Sequence, residues 1–178
     1  AKTYREQRDR VEAGGDQIAG YIARMDRVTA STEPLAEPLL AGALTDLKVR
    51  FDDRFGGWDA APKFPQAAAV SLLLRLHRRH RDPGALRMAE ITLEKMARGG
   101  IRDQLGGGFH RYSTDPAWLV PHFEKMLYDN ALLVPAYLEA FQVTGKPLFA
   151  RVARECLDDV GREMTSPGGG FYSAQDAD

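Results

Sequence analysis

The densest concentration of residues able to do chemistry lies in IRDQLGGGFHRYSTDPAWLVPHFEKMLYDN, positions 101–130. It holds His110 and His122, two of the four histidines, beside Glu124 and Asp129. A histidine held near a carboxylate can act as general acid and base, because the imidazole exchanges protons near neutral pH and burial moves the pKa of a carboxyl toward that range. Phe109, Tyr112, Trp118, Phe123 and Tyr128 fall in the same window, against an aromatic content of 9% overall. Aromatic faces stack on sugar rings, and charged neighbours take the hydroxyls, so the window suits a polyhydroxylated ligand. The blander reading is that the rings pin a long loop and that Lys125 and Asp129 form a surface ion pair of little energetic weight. Asp176 and Asp178 form a D-x-D suited to a divalent cation or to acid/base work.

Several sharper chemistries are excluded by missing parts. His122-Phe123-Glu124 matches the H-x-E of zinc deaminases, but no P-C-x-x-C follows. There is no H-E-x-x-H, no phosphate-binding G-x-x-x-x-G-K-[ST] and no G-x-S-x-G. Gly106-Gly107-Gly108 does not open a helix within a βαβ unit, so it is not a dinucleotide loop. No cofactor or metal is expected.

These residues need helices to position them. A thin apolar stripe, Val11, Ile18, Ile22 and Met25, predicts a helix within Lys2 to Arg27, interrupted at Gly14-Gly15. Ser31-Thr32-Glu33-Pro34 reads as a cap opening the next helix, which runs to about Asp53. Further helices are expected over about Gln66 to His80 and about Pro83 to Arg98. Another opens near His122, kinked at Pro135 and capped by Gly145. The last covers about Pro147 to Met164, with Cys156 as a small core residue. In the helix opening at His122, the spacing sets His122, Lys125 and Asp129 on one face and Glu124 and Tyr128 on its neighbour. The basic run His77 to Arg81 sits at a helix C-terminus, where cations favour the dipole. Phe109 to Ser113 and Phe171 to Ser173 are expected as short strands.

A punctuation recurs along the chain: FGGWDAAPKF, GGGFHRYSTD and GGGFYSAQDAD. Trp58, Phe109 and Phe171 stand 51 and 62 residues apart, room for two helices each time. The unit is a helical hairpin plus a Gly-rich aromatic loop, and such units bury their faces by stacking. The expected fold is mainly α: hairpins forming part of an (α/α)6 toroid, with short β-hairpin loops lining a funnel. The 178 residues carry a net charge of −1, which argues against a nucleic-acid partner. One cysteine cannot form an internal disulfide. No apolar run approaches the roughly 18 residues that span a bilayer, and no signal peptide is visible. These features point to a cytoplasmic protein.

FGGWDAAPKFP, GGIRDQLGGGFHRYSTDPAWLVPHFEKMLYDNALL and GGGFYSAQDAD resemble the central region of the YyaL-type, spermatogenesis-associated thioredoxin-like family. The resemblance covers about Arg54 to Asp178 and implies a six-hairpin α/α toroid similar to sugar epimerases and glycosidases. Residues 1–30 then resemble a connector following a thioredoxin-like domain, and residues 31–178 the first half of the toroid. The chain has no C-x-x-C, so it carries no redox motif of its own. Carried over by position, the resemblance puts catalytic weight on His122, Glu124, His110, Asp129, Asp176 and Asp178. It implies substrate contacts from Trp58, Lys63, Arg111, Tyr112, Trp118, Lys125, Tyr128, Asn130 and Tyr172, and puts weight also on Phe64 and Asp115. Pro135 departs from the family pattern. The expected partners are a carbohydrate-like small molecule and the rest of a parent chain, with self-association through an exposed toroid edge. The expected function is binding or processing of that carbohydrate by acid/base chemistry. The alternative is a non-enzymatic helical module supporting the thioredoxin-like domain, with the polar cluster knitted into structural hydrogen bonds.

Overall fold

The structure, a computed structural model, describes Tyr4, residues 6–25 and residues 36–177. Two compact units divide at residue 36. The first contains helix α1, Arg8–Met25. It runs unbroken through Gly14 and Gly15, contrary to the expected interruption, and none of its residues is buried. The Ser31–Pro34 cap lies outside the described residues.

The second unit holds helices α2 (Glu37–Arg50), α3 (Ala67–His80), α4 (Pro83–Arg98), α5 (Leu127–Thr144) and α6 (Pro147–Glu163). Local chemistry explains most of their borders. Asp82 caps α4 by accepting from Ala85 N at 2.9 Å, with Pro83 in the first turn. Arg81, in the left-handed region at φ 56°, ends α3 and donates its N–H to His77 O. Gly145 closes α5 in the same way through Phe141 O. Helix α5 passes through Pro135 without a break, and the proline lies on an exposed part of it.

The helices form hairpins α3–α4 and α5–α6, with α5 packed on α3 and α2 flanking α3. Helix α6 is amphipathic and buries Phe149, Val152, Ala153, Cys156 and Asp159. Helix α5 is apolar nearly all round. Leu133, Ala136, Tyr137 and Ala140 are buried, while Leu132 and Leu138 stay 53% and 45% exposed. A helix apolar on all sides belongs between other elements or around a cavity. The core continues into the loops through rings. Phe109 stacks on Tyr137 at 5.4 Å, and Tyr137 packs on Phe149 at 6.0 Å while its hydroxyl donates to Leu93 O.

The recurring Gly-aromatic segments fold alike. Isolated bridges join Phe51 to Trp58, Arg102 to Phe109 and Thr165 to Phe171. In the first two, an aspartate opens the turn: Asp52 accepts from Arg54 N and Phe55 N, and Asp103 from Leu105 N and Gly106 N. Gly57 and Gly108 follow with φ of 75° and 72°, a region open to glycine at little cost. A Cβ on Gly57 would stand 2.7 Å from Trp118, and one on Gly108 would run into the Asp159 carboxylate.

Short strands stitch these loops together. Strand β1 (Tyr112–Ser113) pairs antiparallel with β2 (Pro121–His122), and β3 (Lys125–Met126) with β4 (Ala174–Gln175). Lys63 and Ser113 exchange two backbone hydrogen bonds of 2.8 Å. The helix expected from His122 therefore opens five residues later. Residues 122–126 are held extended by partners on both sides, and the proposed helical faces of His122, Lys125, Glu124 and Tyr128 do not exist.

Candidate active site

Arg111, next to β1, is the hub of the half-open surface at the start of α5. Its N–H donates to Glu124 O at 2.7 Å, and its guanidinium donates to the Glu124 carboxylate at 2.9 Å. Glu124 first and Tyr128 second raise the guanidinium's pKa further. Asp129, in the first turn of α5, is only partly exposed. Burial pushes its carboxyl up to about 6, with Arg111 pulling the other way. A carboxyl so poised can hold or release a proton near neutral pH. Asp129 Oδ2, Arg111 Nε and His122 Nδ1 are buried and have no hydrogen-bond partner among the described residues.

A ladder of rings continues the surface. His122 lies 4.9 Å from Tyr112, its strand partner, and Tyr112 lies 5.0 Å from the exposed Phe64. The C-terminal segment borders the same region. Leu127 N donates to Ser173 O, and the Lys125–Gln175 register, continued by one step, sets Asp176 opposite Glu124. Tyr172 and Asp176 are exposed. Asp178 lies outside the described residues.

Six of the expected residues are placed in the interior instead. Trp58 is fully buried and donates to Leu47 O, and Trp118 is fully buried and donates to Phe55 O. Neither ring offers a face to a ligand here. Lys63, also fully buried, binds Asp52 at 2.7 Å and Pro116 O, and lies 5.2 Å from the Trp118 ring. Lys125 does not reach Asp129; it binds Asp103 at 3.0 Å, Asp159 at 3.2 Å and Gly107 O. Burial raises Asp159. At Asp103 burial is outweighed by the Gly106 and Leu105 amides and by Lys125, which bring it down to about 2. Asn130 clamps Phe109, accepting from its N–H and donating to its carbonyl. His110 is buried with Nδ1 against Phe123 O, and burial pushes its pKa down. Cys156 is a core residue whose thiol is pushed up to about 12 by burial.

The anchoring aspartates Asp52, Asp103 and Asp159 carry no weight in the motif reading. A signal for two of them exists, since Asp52 and Asp103 each precede the Gly-Gly-aromatic triplet in a D-x-x-x-G-G spacing. Among the described residues no group of three His, Cys, Asp or Glu side chains could hold a metal ion, and no helix is long and apolar enough to cross a membrane.

Among solved structures, the fold is similar to a sugar epimerase from a ruminal bacterium, with TM-score 0.64 at 14% identity, covering 75% of this chain and 37% of that one. A cellobiose 2-epimerase from Spirochaeta thermophila gives TM-score 0.63 at 19% identity, covering 79% and 41%. The fold is thus similar to part of the six-hairpin α/α toroids. No protein-family model matches the chain. In sequence, it is 50% identical over 132 residues to human Spermatogenesis-associated protein 20, covering 72% of this chain. It is 45% identical over 149 residues to the Rattus norvegicus protein, covering 82%. It spans only 17% and 19% of the length of these two curated relatives. Over most of its own length, the chain is homologous to the Spermatogenesis-associated protein 20 (YyaL-type) family.

Proposed function

We propose that this region belongs to an α/α toroid that binds a carbohydrate-like substrate and processes it by general acid/base chemistry, within a parent protein that also carries a thioredoxin-like domain. The observation that carries this reading is Asp129: a half-buried carboxyl poised at about 6, with a buried oxygen unpartnered among the described residues, within reach of the Arg111 charge. Asp129 is the proton-transferring group, with His122 and Glu124 as its partners in the acid/base set. Tyr112, Tyr128 and Tyr172 contact the sugar. Asp176 approaches from the C-terminal segment. His110, with its lowered pKa, supports the loop through Phe123 O. The likeness to sugar epimerases supports the substrate class by analogy of fold. The single cysteine fits a cytoplasmic location.

A second reading has its own observation. Lys63, Lys125, Asn130, Trp58 and Trp118 are all engaged in internal hydrogen bonds, as a non-enzymatic scaffold for the thioredoxin-like domain would have them. A thermal-shift panel of saccharides against the full-length protein separates the two. Stabilisation that is lost in His122→Ala, with folding intact, supports the toroid enzyme. A panel in which no saccharide raises Tm transfers the assignment to the scaffold.

A further inference from the structure

Resting on the toroid part of the reading above, a finer inference concerns what covers the open side of α5. The three Gly-aromatic segments are linked in series. The segment before α3 pairs with the one before α5 through Lys63 and Ser113, and α5 packs on α3. The segment before α5 pairs in turn with the third, through Lys125–Gln175 and Met126–Ala174. Leu127, the first residue of α5, donates its N–H to Ser173 O in that third segment. The third segment is thus delivered to the start of α5, and a helix following it would lie against α5 as α5 lies against α3. The surface of α5 suits such a neighbour. Ala131, Val134, Pro135 and Leu138 recur at i, i+3, i+4 and i+7 and form one apolar stripe. Ala131 and Pro135 are exposed, and Leu138 is 45% exposed. Glu139 pairs with Arg75 of α3, and Leu138 is turned about 100° from it around the helix. The exposed sides of α4 and α6 are instead mostly charged, with Arg87, Arg98, Arg151, Arg154 and Asp158. A charged face suits water, whereas an open apolar stripe marks a protein contact. The two epimerases of similar fold extend well beyond the 37% and 41% of their chains that match, so a ring of this kind needs further helices.

We propose that the Ala131–Leu138 stripe of α5 is the seat of a helix of the parent protein that follows the third Gly-aromatic segment, and that this helix packs its own apolar face on α5 as α5 packs on α3. The test is thiol labelling of Leu138→Cys in the full-length protein. N-ethylmaleimide is added under native conditions and in urea, and the modification of residue 138 is followed by mass spectrometry of its peptide. A covered thiol reacts only when the structure opens, so the native rate is expected to be at least about tenfold below the unfolded rate. Ala131→Cys lies on the same stripe and is expected to be protected likewise. It supplies the measurement if Leu138→Cys lowers Tm enough to disturb folding. Native labelling at both positions within about threefold of the unfolded rate overturns the proposal, because the stripe is then open to solvent. Protection that disappears on dilution, as light scattering shows a dimer dissociating, gives the seat to a second copy and overturns the helix as its occupant. Either of these results leaves saccharide binding untouched. A saccharide panel without a hit removes the substrate and leaves the seat of the helix in place.

Discussion

Asp129 and Asp103 are both aspartates near a cation, yet their environments drive them in opposite directions. At Asp129 burial dominates and the pKa rises from 3.8 to about 6. The folded state then holds the proton more tightly than the unfolded chain. This contribution to stability is fully present below pH 3.8 and is lost as pH rises through about 6. Asp129→Asn should therefore gain stability relative to wild type between pH 4 and pH 7.5. The gain is on the order of 1–2 kcal/mol once partial exposure is allowed for. Urea melts at the two pH values check it, and an equal effect at both would refute the burial argument. Asp103, brought down to about 2, behaves conversely: its contribution is present above its ordinary value and fades as pH falls through about 2. Lys125 is the other half of that balance. Lys125→Met removes the cation shared by Asp103 and the fully buried Asp159, leaving Arg162 on Asp159 and two backbone amides on Asp103, and should cost about 3 kcal/mol near neutral pH, measured by chemical denaturation. A loss below about 1 kcal/mol would mean that the Gly107 loop relaxes to let water in.

At the scale of elements, the loops depend on glycine for two separable reasons. Gly108 and Gly145 have nearly the same φ, 72° and 68°, but a Cβ on Gly108 collides with Asp159 while one on Gly145 meets open space. Gly145→Ala should cost about 1–2 kcal/mol, the left-handed penalty alone. Gly108→Ala should cost clearly more, and calorimetry on the pair measures the packing part. Equal losses would show that the Asp159 carboxylate moves freely. The helices themselves were largely legible in the sequence. Helix α4 announces itself through Asp82-Pro83 and its apolar period, and α6 through Phe149, Val152, Ala153 and Cys156. Residues 122–126 were not legible. Phe-Glu-Lys-Met-Leu is a good helical string, and what keeps its first part extended is pairing with Tyr112 and Gln175, the latter 50 residues away from Lys125. The same limit applies at the site. Trp58, Tyr112 and Trp118 look alike as loop aromatics, and only the tertiary packing decides that Tyr112 reaches the surface while both tryptophans fill the core. Asp129 was legible by its type and not by its burial, because the neighbours that desolvate it are set by tertiary packing.

Across the second unit, hairpins supply the mass and loops carry the candidate site residues, and the loops are joined to one another. Lys63 pairs with Ser113, Arg111 with Glu124, and Leu127 with Ser173, all through main-chain groups. Side chains add the Lys63–Asp52 and Lys125–Asp159 anchors, both with a fully buried partner. The proposed site is therefore mounted on a continuous hydrogen-bonded network rather than on separate flexible turns, which holds Arg111 and Glu124 in register with the ring ladder. This has a consequence in time. Loops ordinarily give up their amide protons to solvent first, since they open without disturbing the core. Here the amides of Lys63, Ser113 and Arg111 can be released only by parting two loops at once. Peptides covering residues 60–66 and 108–116 should accordingly exchange on the slow timescale of α4 and α6, with both loops opening in a single event. Exchange complete within seconds, or at two unrelated rates, would show that each loop breathes alone.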